Sequence, residues 1–177
     1  MLTLVIGGAA SGKSAYAEEL VMRSARKPRV YIATMEPFDS ECLERIRRHR
    51  DMRAKKAFET VECYTDLCSV KVTAGCAALL ECMGNLCANE LYSPAGSGDG
   101  AESAILRGVD RLLPQCGELV IVSNEVFSGG SGYQGDTIRY LRLLARVNRA
   151  LAARADRVFE VVCGVPVYHK GGGTDAV

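Results

Sequence analysis

The segment that most restricts the fold of this chain is Gly7-Gly8-Ala9-Ala10-Ser11-Gly12-Lys13-Ser14. It lies between the apolar run Leu2 to Ile6 and the periodic segment Ala15 to Val21. An apolar run, a glycine-rich turn and a helical period predict strand, loop and helix in that order. The spacing G-x-x-x-x-G-K-S is the P-loop pattern, in which successive backbone N–H groups curl around phosphate oxygens and a helix N-terminus adds its positive end. Lys13 then reaches the β- and γ-phosphates of a nucleoside triphosphate, and Ser14 ligates Mg²⁺. The flanking strand and helix argue against a glycine-rich turn that merely fits the pattern. The reaction stays open.

The 177 residues suit one domain around a single core. A net charge of +1 supplies no global field toward nucleic acid or membrane, so any anion site is local. No signal peptide and no run near transmembrane length is present, and the expectation is a soluble cytoplasmic protein. The eight cysteines include no C-x-x-C pair and only two histidines accompany them, which argues for reduced core thiols over a metal framework; a cysteine nucleophile stays open.

Beyond the first helix, Arg29 to Thr34 reads as a buried strand that delivers Thr34, Met35 and Glu36 to its carboxyl end, where open α/β sheets hold ligands. Asp39 and Ser40 offer caps for a helix with Glu41 and Glu44 in its first turns and Arg45, Arg47, Arg48, His49 and Arg50 at its end. Cys42, Ile46, His49 and Arg53 follow helical spacing, so His49 lies close to the inward stripe. It reads either as a dipole-complementing residue or as a functional imidazole that neighbouring arginines keep neutral. Phe58 to Glu62 is a short extended candidate. Ala77 to Glu81 resembles a Walker B strand, with Glu81 holding Mg²⁺ opposite Ser14, and the helical pattern Cys82 to Leu91 follows.

Ser93 to Gly100 reads as a surface insertion with room to move, before a helix over Ala101 to Leu113. Glu118 to Ser123 is a buried strand that presents Asn124 and Glu125. Glu81 and Glu125 thus supply a metal ligand and a base toward a substrate hydroxyl. Phe127 to Gly135 is a flexible loop with an aromatic at each end, suited to a lid or wall for a large ligand. Asp136 is expected to cap a helix over Thr137 to Ala155, with Leu141, Leu144, Ala145, Asn148 and Leu151 turned inward. Arg157 to Cys163 is the last strand, Gly164 to His169 continues it, and residues 170–177 form a flexible tail. The alternation predicts a three-layer α/β fold with a mostly parallel sheet.

Asn124-Glu125-Val126-Phe127 lacks the lysine and aspartate of a guanine-reading N-K-x-D, and the chain has no large basic footprint. A small-molecule phosphoryl or nucleotidyl transferase remains, or a nucleotide-gated binding module. From end to end the chain resembles the bifunctional adenosylcobinamide kinase / adenosylcobinamide-phosphate guanylyltransferases of cobalamin biosynthesis. The matching pieces are Gly7 to Ser14, Tyr31 to Glu36, Arg45 to Arg53, Thr60 to Glu62, Leu79 to Cys82 with Asn89, Ser123 to Val126, Arg146 to Asn148 and Val161 to Val167. The R-I-x-x-H-R segment, N-E-V and the closing V-x-x-G carry most of the specificity.

The resemblance implies a RecA-like P-loop fold and a two-step enzyme. ATP or GTP phosphorylates the aminopropanol hydroxyl of adenosylcobinamide. GTP then guanylylates a histidine, His49 by position, and GMP passes to adenosylcobinamide phosphate to give adenosylcobinamide-GDP. A neutral imidazole suits that relay, because its N–P bond is reactive. The implied nucleotide sites extend from the P-loop to Thr34, Met35, Glu36, Arg50, Asp51, Met52, Arg53, Glu62 and Glu81, and the implied assembly is a homo-oligomer, a trimer. A kinase for another small alcohol is the alternative enzyme. The chain departs from the family pattern at Phe127-Ser-Gly-Gly and at Arg142-Leu-Leu-Ala145, in the loop and helix assigned to the large substrate.

Overall fold

The computed structural model describes residues 1–37, 47, 56–127 and 133–171. Seven strands form one sheet: β1 Leu2–Gly7, β2 Arg29–Ala33, β3 Phe58–Glu62, β4 Cys76–Glu81, β5 Cys116–Asn124, β6 Arg157–Val162 and β7 Val165–Lys170. Among the described residues, the α-helices α1 Lys13–Arg23, α2 Met83–Tyr92, α3 Ala101–Leu112 and α4 Asp136–Arg154 pack on it. The sheet order is β3-β2-β4-β5-β1-β6-β7. All neighbours pair in parallel except β7, which folds back antiparallel on β6.

Alternation along the strands sorts their side chains into two cores, as the two-residue period of a strand requires. Leu2, Leu4, Ile32, Ala78, Leu80, Leu119 and Ile121 face one side, where they meet Leu86 of α2, Ile105 and Val109 of α3, and Leu144 and Val147 of α4. Val5, Tyr31, Ala77, Leu79, Val120 and Val122 face the other and meet Ala17 and Val21 of α1. The result is the expected three-layer α/β sandwich. Each fully buried leucine or valine contributes about 1.5–3 kcal/mol relative to exposure, and the central strands are buried on both faces, as parallel strands are.

Two local expectations are corrected. The inward face of α4 is Leu143, Leu144, Val147 and Leu151, while Ala145 is exposed and Leu141 only half-buried. The stripe needs Leu143 and Val147, one residue away on the helical wheel. Asp136 is not the cap either: Gly135 occupies that position with φ 60° and ψ −132°, and no side chain caps the helix. In the Ser93 to Gly100 connection Ser97 N donates to Glu90 Oε2 at 2.9 Å and Gly96 N to Ser93 O at 2.9 Å. Lys170 ends β7, and its ammonium donates to the Ala152 and Ala153 carbonyls at 3.2 and 3.0 Å; residues 172–177 lie outside the described residues.

Candidate functional site

The carboxyl ends of the parallel strands form one rim, and the glycine-rich loop leaves it from β1. Gly12 is the N-cap of α1 in the left-handed region (φ 90°), with no side-chain cap and no acidic residue in the first turn. The leading N–H groups of the helix and its dipole are therefore available to an anion. Lys13 Nζ folds back to donate to Gly8 O at 3.0 Å. A Cβ on Gly7 would lie 2.5 Å from Ser11 Oγ and 2.8 Å from the Val161 carbonyl, so the loop tolerates no side chain there. On its outer side the β6–β7 turn braces it: Gly164 N donates to Ser11 O at 2.8 Å. Ser11 Oγ is buried without a partner among the described residues, which leaves a hydroxyl for a phosphate oxygen.

α1 lies over β4 and β5, and this brings its second residue to the end of β4. Ser14 Oγ donates to Glu81 Oε1. Burial pushes the Glu81 carboxyl above its ordinary value; the Ser14 hydrogen bond is the strongest influence the other way, with the Tyr31 hydroxyl and Lys13 acting in the same sense and Glu18 against them. Glu81 Oε2 is buried and makes no hydrogen bond of ordinary geometry, although the Tyr31 hydroxyl is near enough to favour the ionised carboxylate. A serine hydroxyl and an under-satisfied carboxylate are hard oxygen donors beside a phosphate loop. They fit Mg²⁺, which takes one or two protein oxygens and completes its shell with water and phosphate.

Asn124 closes β5 in register with Gly7, and Glu125 N donates to Gly7 O at 2.9 Å. The Glu125 carboxylate accepts from Phe127 N at 2.9 Å. Asn148 of α4 pins this strand end, accepting from Ser123 Oγ at 2.6 Å and donating to Asn124 O at 3.2 Å.

The opposite half of the rim is held by side chains. Thr34 is fully buried, and its hydroxyl donates to Cys82 O at 2.9 Å while accepting from Cys82 N at 2.7 Å. Asn89 Nδ2 of α2 donates to the carbonyls of Thr34 at 2.8 Å and Tyr64 at 2.9 Å. Next to it the buried Glu90 accepts from Asp66 N at 2.8 Å through one oxygen and from Ser97 N at 2.9 Å through the other. Glu36 accepts from Ser93 Oγ at 2.6 Å.

The sequence-derived site residues thus fall into three groups. Gly7 to Ser14, Glu81 and Glu125 converge at the ends of β1, β4 and β5. Thr34, Met35 and Glu36 stand at the end of β2, and the exposed Glu62 stands at the end of the edge strand β3, where it accepts from the Tyr64 hydroxyl at 2.9 Å. Within this chain Glu62 is not brought to the P-loop, because β2, β4 and β5 intervene. His49, Arg50, Asp51, Met52 and Arg53 lie outside the described residues. Residue reading overlooked the roles of Asn89, Asn148 and Gly164. A polar residue on an inward helical face was the available signal for the two asparagines.

Among the described cysteines, Cys63, Cys76, Cys87 and Cys116 are buried in the core, Cys68 and Cys82 are half-buried and Cys163 is exposed. Burial raises the Cys63 and Cys116 thiols to about 12, with nearby acidic groups (Asp66 and Glu90) adding to it at Cys63. No described helix is long and apolar enough to cross a membrane.

Comparison with known proteins follows the same lines. The family model for cobinamide kinase / cobinamide phosphate guanyltransferase, CobU, matches residues 3–168. The chain is 37% identical over 189 residues to the bifunctional adenosylcobalamin biosynthesis protein CobU of Salmonella typhimurium, covering 96% of this chain and 100% of that protein. It is 32% identical over 175 residues to the corresponding CobP of Pseudomonas aeruginosa, covering 97% and 98%. Among solved structures, the flagellar accessory protein FlaH of Methanocaldococcus jannaschii superposes with a TM-score of 0.51 at 11% identity over 97% of this chain and 80% of that one. A second solved structure, an ATPase domain, does so with 0.51 at 13% identity over 90% and 68%. The likeness to these two is one of fold alone. The chain belongs to the CobU family of cobinamide kinases / cobinamide phosphate guanyltransferases.

Proposed function

We propose that this chain carries both activities of its family at one P-loop. The observation that carries the reading is the pairing of Ser14 with Glu81 beside an uncapped α1 N-terminus. In the first step the alcohol oxygen of adenosylcobinamide attacks the γ-phosphorus of ATP or GTP. The bond to the bridging oxygen breaks, the nucleoside diphosphate leaves, and Glu125 takes the alcohol proton. Lys13 and the loop N–H groups hold the phosphates in line and neutralise charge that spreads onto their oxygens. When bound at Ser14 and Glu81, Mg²⁺ supplies further charge neutralisation.

In the second step an imidazole nitrogen of His49, assigned by the sequence pattern, attacks the α-phosphorus of GTP and pyrophosphate leaves. An oxygen of adenosylcobinamide phosphate then attacks the same phosphorus, the N–P bond breaks, and His49 is returned neutral. Thr34 to Glu36, Arg50 to Arg53 and Glu62 belong to nucleotide binding in this reading. Since β3 is far from β1 within one chain, Glu62 fits best where a homo-oligomer, a trimer by the family resemblance, brings a second rim close. Triphosphate substrates suit a cytoplasmic enzyme, and the near-zero net charge suits one without general affinity for nucleic acid.

The test is turnover. Purified protein with Mg²⁺, GTP and adenosylcobinamide is expected to yield adenosylcobinamide phosphate and then adenosylcobinamide-GDP, resolved by chromatography. Consumption of triphosphate without either corrinoid product contradicts the reading.

A further inference from the structure

A cavity of about 260 Å³ lies between α2 and α4, lined by Ala88, Tyr92, Asp136, Thr137 and Tyr140. Tyr140, which lines it, also reaches the start of α2 near the end of β5. The position that a Cβ on Gly84 would take is 2.8 Å from Asn124 Nδ2 and 3.0 Å from the Tyr140 hydroxyl, so both polar ends converge on one point above the start of α2. Asn124 is the β5 residue in register with Gly7, and Glu125 follows it. The Tyr140 hydroxyl makes no hydrogen bond to a described residue, whereas the Tyr92 hydroxyl is committed to the Asp136 carbonyl at 2.6 Å.

Size and chemistry select the occupant. Pockets for whole small ligands run from about 300 to 1,000 Å³, so this cavity takes a segment rather than a molecule. Its lining is mostly apolar, built from the Tyr92 and Tyr140 side chains and Ala88, with Thr137 and Asp136 of the α4 start completing it. That combination suits a short amide-linked chain ending in a hydroxyl. Outside, Phe127 and Tyr133 are exposed aromatics at 43% and 40%, close in sequence to Asn124 and Asp136 respectively, and they offer apolar surface to a ring too wide to enter.

Resting on the reading above, we infer that this cavity receives the aminopropanol arm of the cobinamide substrate, with the Tyr140 hydroxyl hydrogen-bonding the arm on its way to the γ-phosphate. Ala88 sets the depth of the cavity, and Tyr140 is a specificity residue for the acceptor.

The experiment is direct binding of two corrinoids to the intact protein, followed by their visible absorbance in ultrafiltration. One is adenosylcobinamide; the other carries a carboxylate in place of the aminopropanol amide. Ala88→Leu is expected to raise the Kd for adenosylcobinamide at least about tenfold, the scale on which extra methylene groups act in a snug pocket. Tyr140→Phe is expected to raise it roughly two- to tenfold, the range of one hydrogen bond. The affinity for the armless corrinoid stays within twofold in both variants, and GTP affinity serves as the check of folding. Unchanged adenosylcobinamide affinity in both variants overturns the inference, as does equal weakening of the two corrinoids. Wild-type protein that binds neither corrinoid overturns the acceptor assignment itself, and the cavity's role with it.

Discussion

The two halves of the rim are built in different ways. Around β1, β5 and β6 the loop is shaped by backbone: Gly7 and Gly12 admit close approach and a left-handed turn, and Gly164 N and Glu125 N donate to loop carbonyls. Around β2, β3 and α2 the same job falls to side chains, with Thr34, Asn89 and Glu90 satisfying buried carbonyls and N–H groups of segments far apart in sequence. A backbone-built site leaves its own polar groups free for ligand, and a side-chain-built one spends them on the fold. The phosphate half is thus preorganised to bind, while the opposite half holds its shape.

This contrast can be broken in graded ways. Lys13→Ala removes the cation proposed to hold the phosphates and leaves the fold; both half-reactions are expected to fall about 10²–10³-fold, the scale of losing one preorganised donor to transition-state charge, with an unfolding curve that matches wild type. On the other half, Asn89→Leu leaves the Thr34 and Tyr64 carbonyls without their donor. At about 1–3 kcal/mol for each stranded group, urea unfolding is expected to show a loss of about 2–6 kcal/mol, the larger stability effect of the set. A loss confined to turnover contradicts the division.

Glu81→Gln sharpens the comparison, because Glu81 is the phosphate half's one buried carboxylate, among the described residues, with an oxygen lacking an ordinary hydrogen bond. Burial raises its pKa, so the folded state favours the protonated carboxyl. Stability from this group is therefore present at low pH and lost as pH climbs through the ordinary carboxylate range toward the raised value. The glutamine variant lacks that loss. Without Mg²⁺ at pH 7 its Tm is expected to rise by about 2–4 °C, what about 1 kcal/mol gives in a chain of this size, and below the ordinary carboxylate range the two proteins converge. Mg²⁺-dependent turnover falls at the same time. A lowered Tm at pH 7 contradicts the account.

The smallest effect is expected at Gly8. No atom lies within 4 Å of a Cβ built there, in contrast with 2.5 Å at Gly7. Gly8→Ala should change stability by no more than about 0.5 kcal/mol, as surface substitutions do, whereas Gly7→Ala should be clearly destabilised by chemical denaturation. Equal losses at the two positions contradict the close-approach argument.

The same division explains what could be read before any coordinates. The strands and the loop were readable because their signals are local: β-branched runs such as Val158 to Val162, and glycines at fixed spacing. Phe58–Glu62 emerged with its expected bounds, and Glu81 met Ser14 as expected. The face of α4 was misjudged at Ala145 because a helical period read from small and large apolar residues is uncertain by one position. The opposite half of the rim was opaque for a physical reason. Asn89 touches Thr34 and Tyr64, 55 and 25 residues away, and a polar residue on an inward helical face signals burial without saying which distant carbonyls it meets. The cavity below Tyr140 was unreadable likewise, since it depends on how α2 and α4 meet.

The account's central claim is that one P-loop serves a phosphoryl transfer and a guanylyl transfer that runs through His49. Intact-protein mass analysis after incubation with Mg²⁺ and GTP, followed by mapping of the modified peptide, tests it most directly. The account predicts one GMP per chain on His49 in wild type, none in His49→Ala, and a strongly reduced level in Lys13→Ala. A wild-type protein that never acquires GMP, or a His49→Ala protein that acquires it undiminished, contradicts the claim.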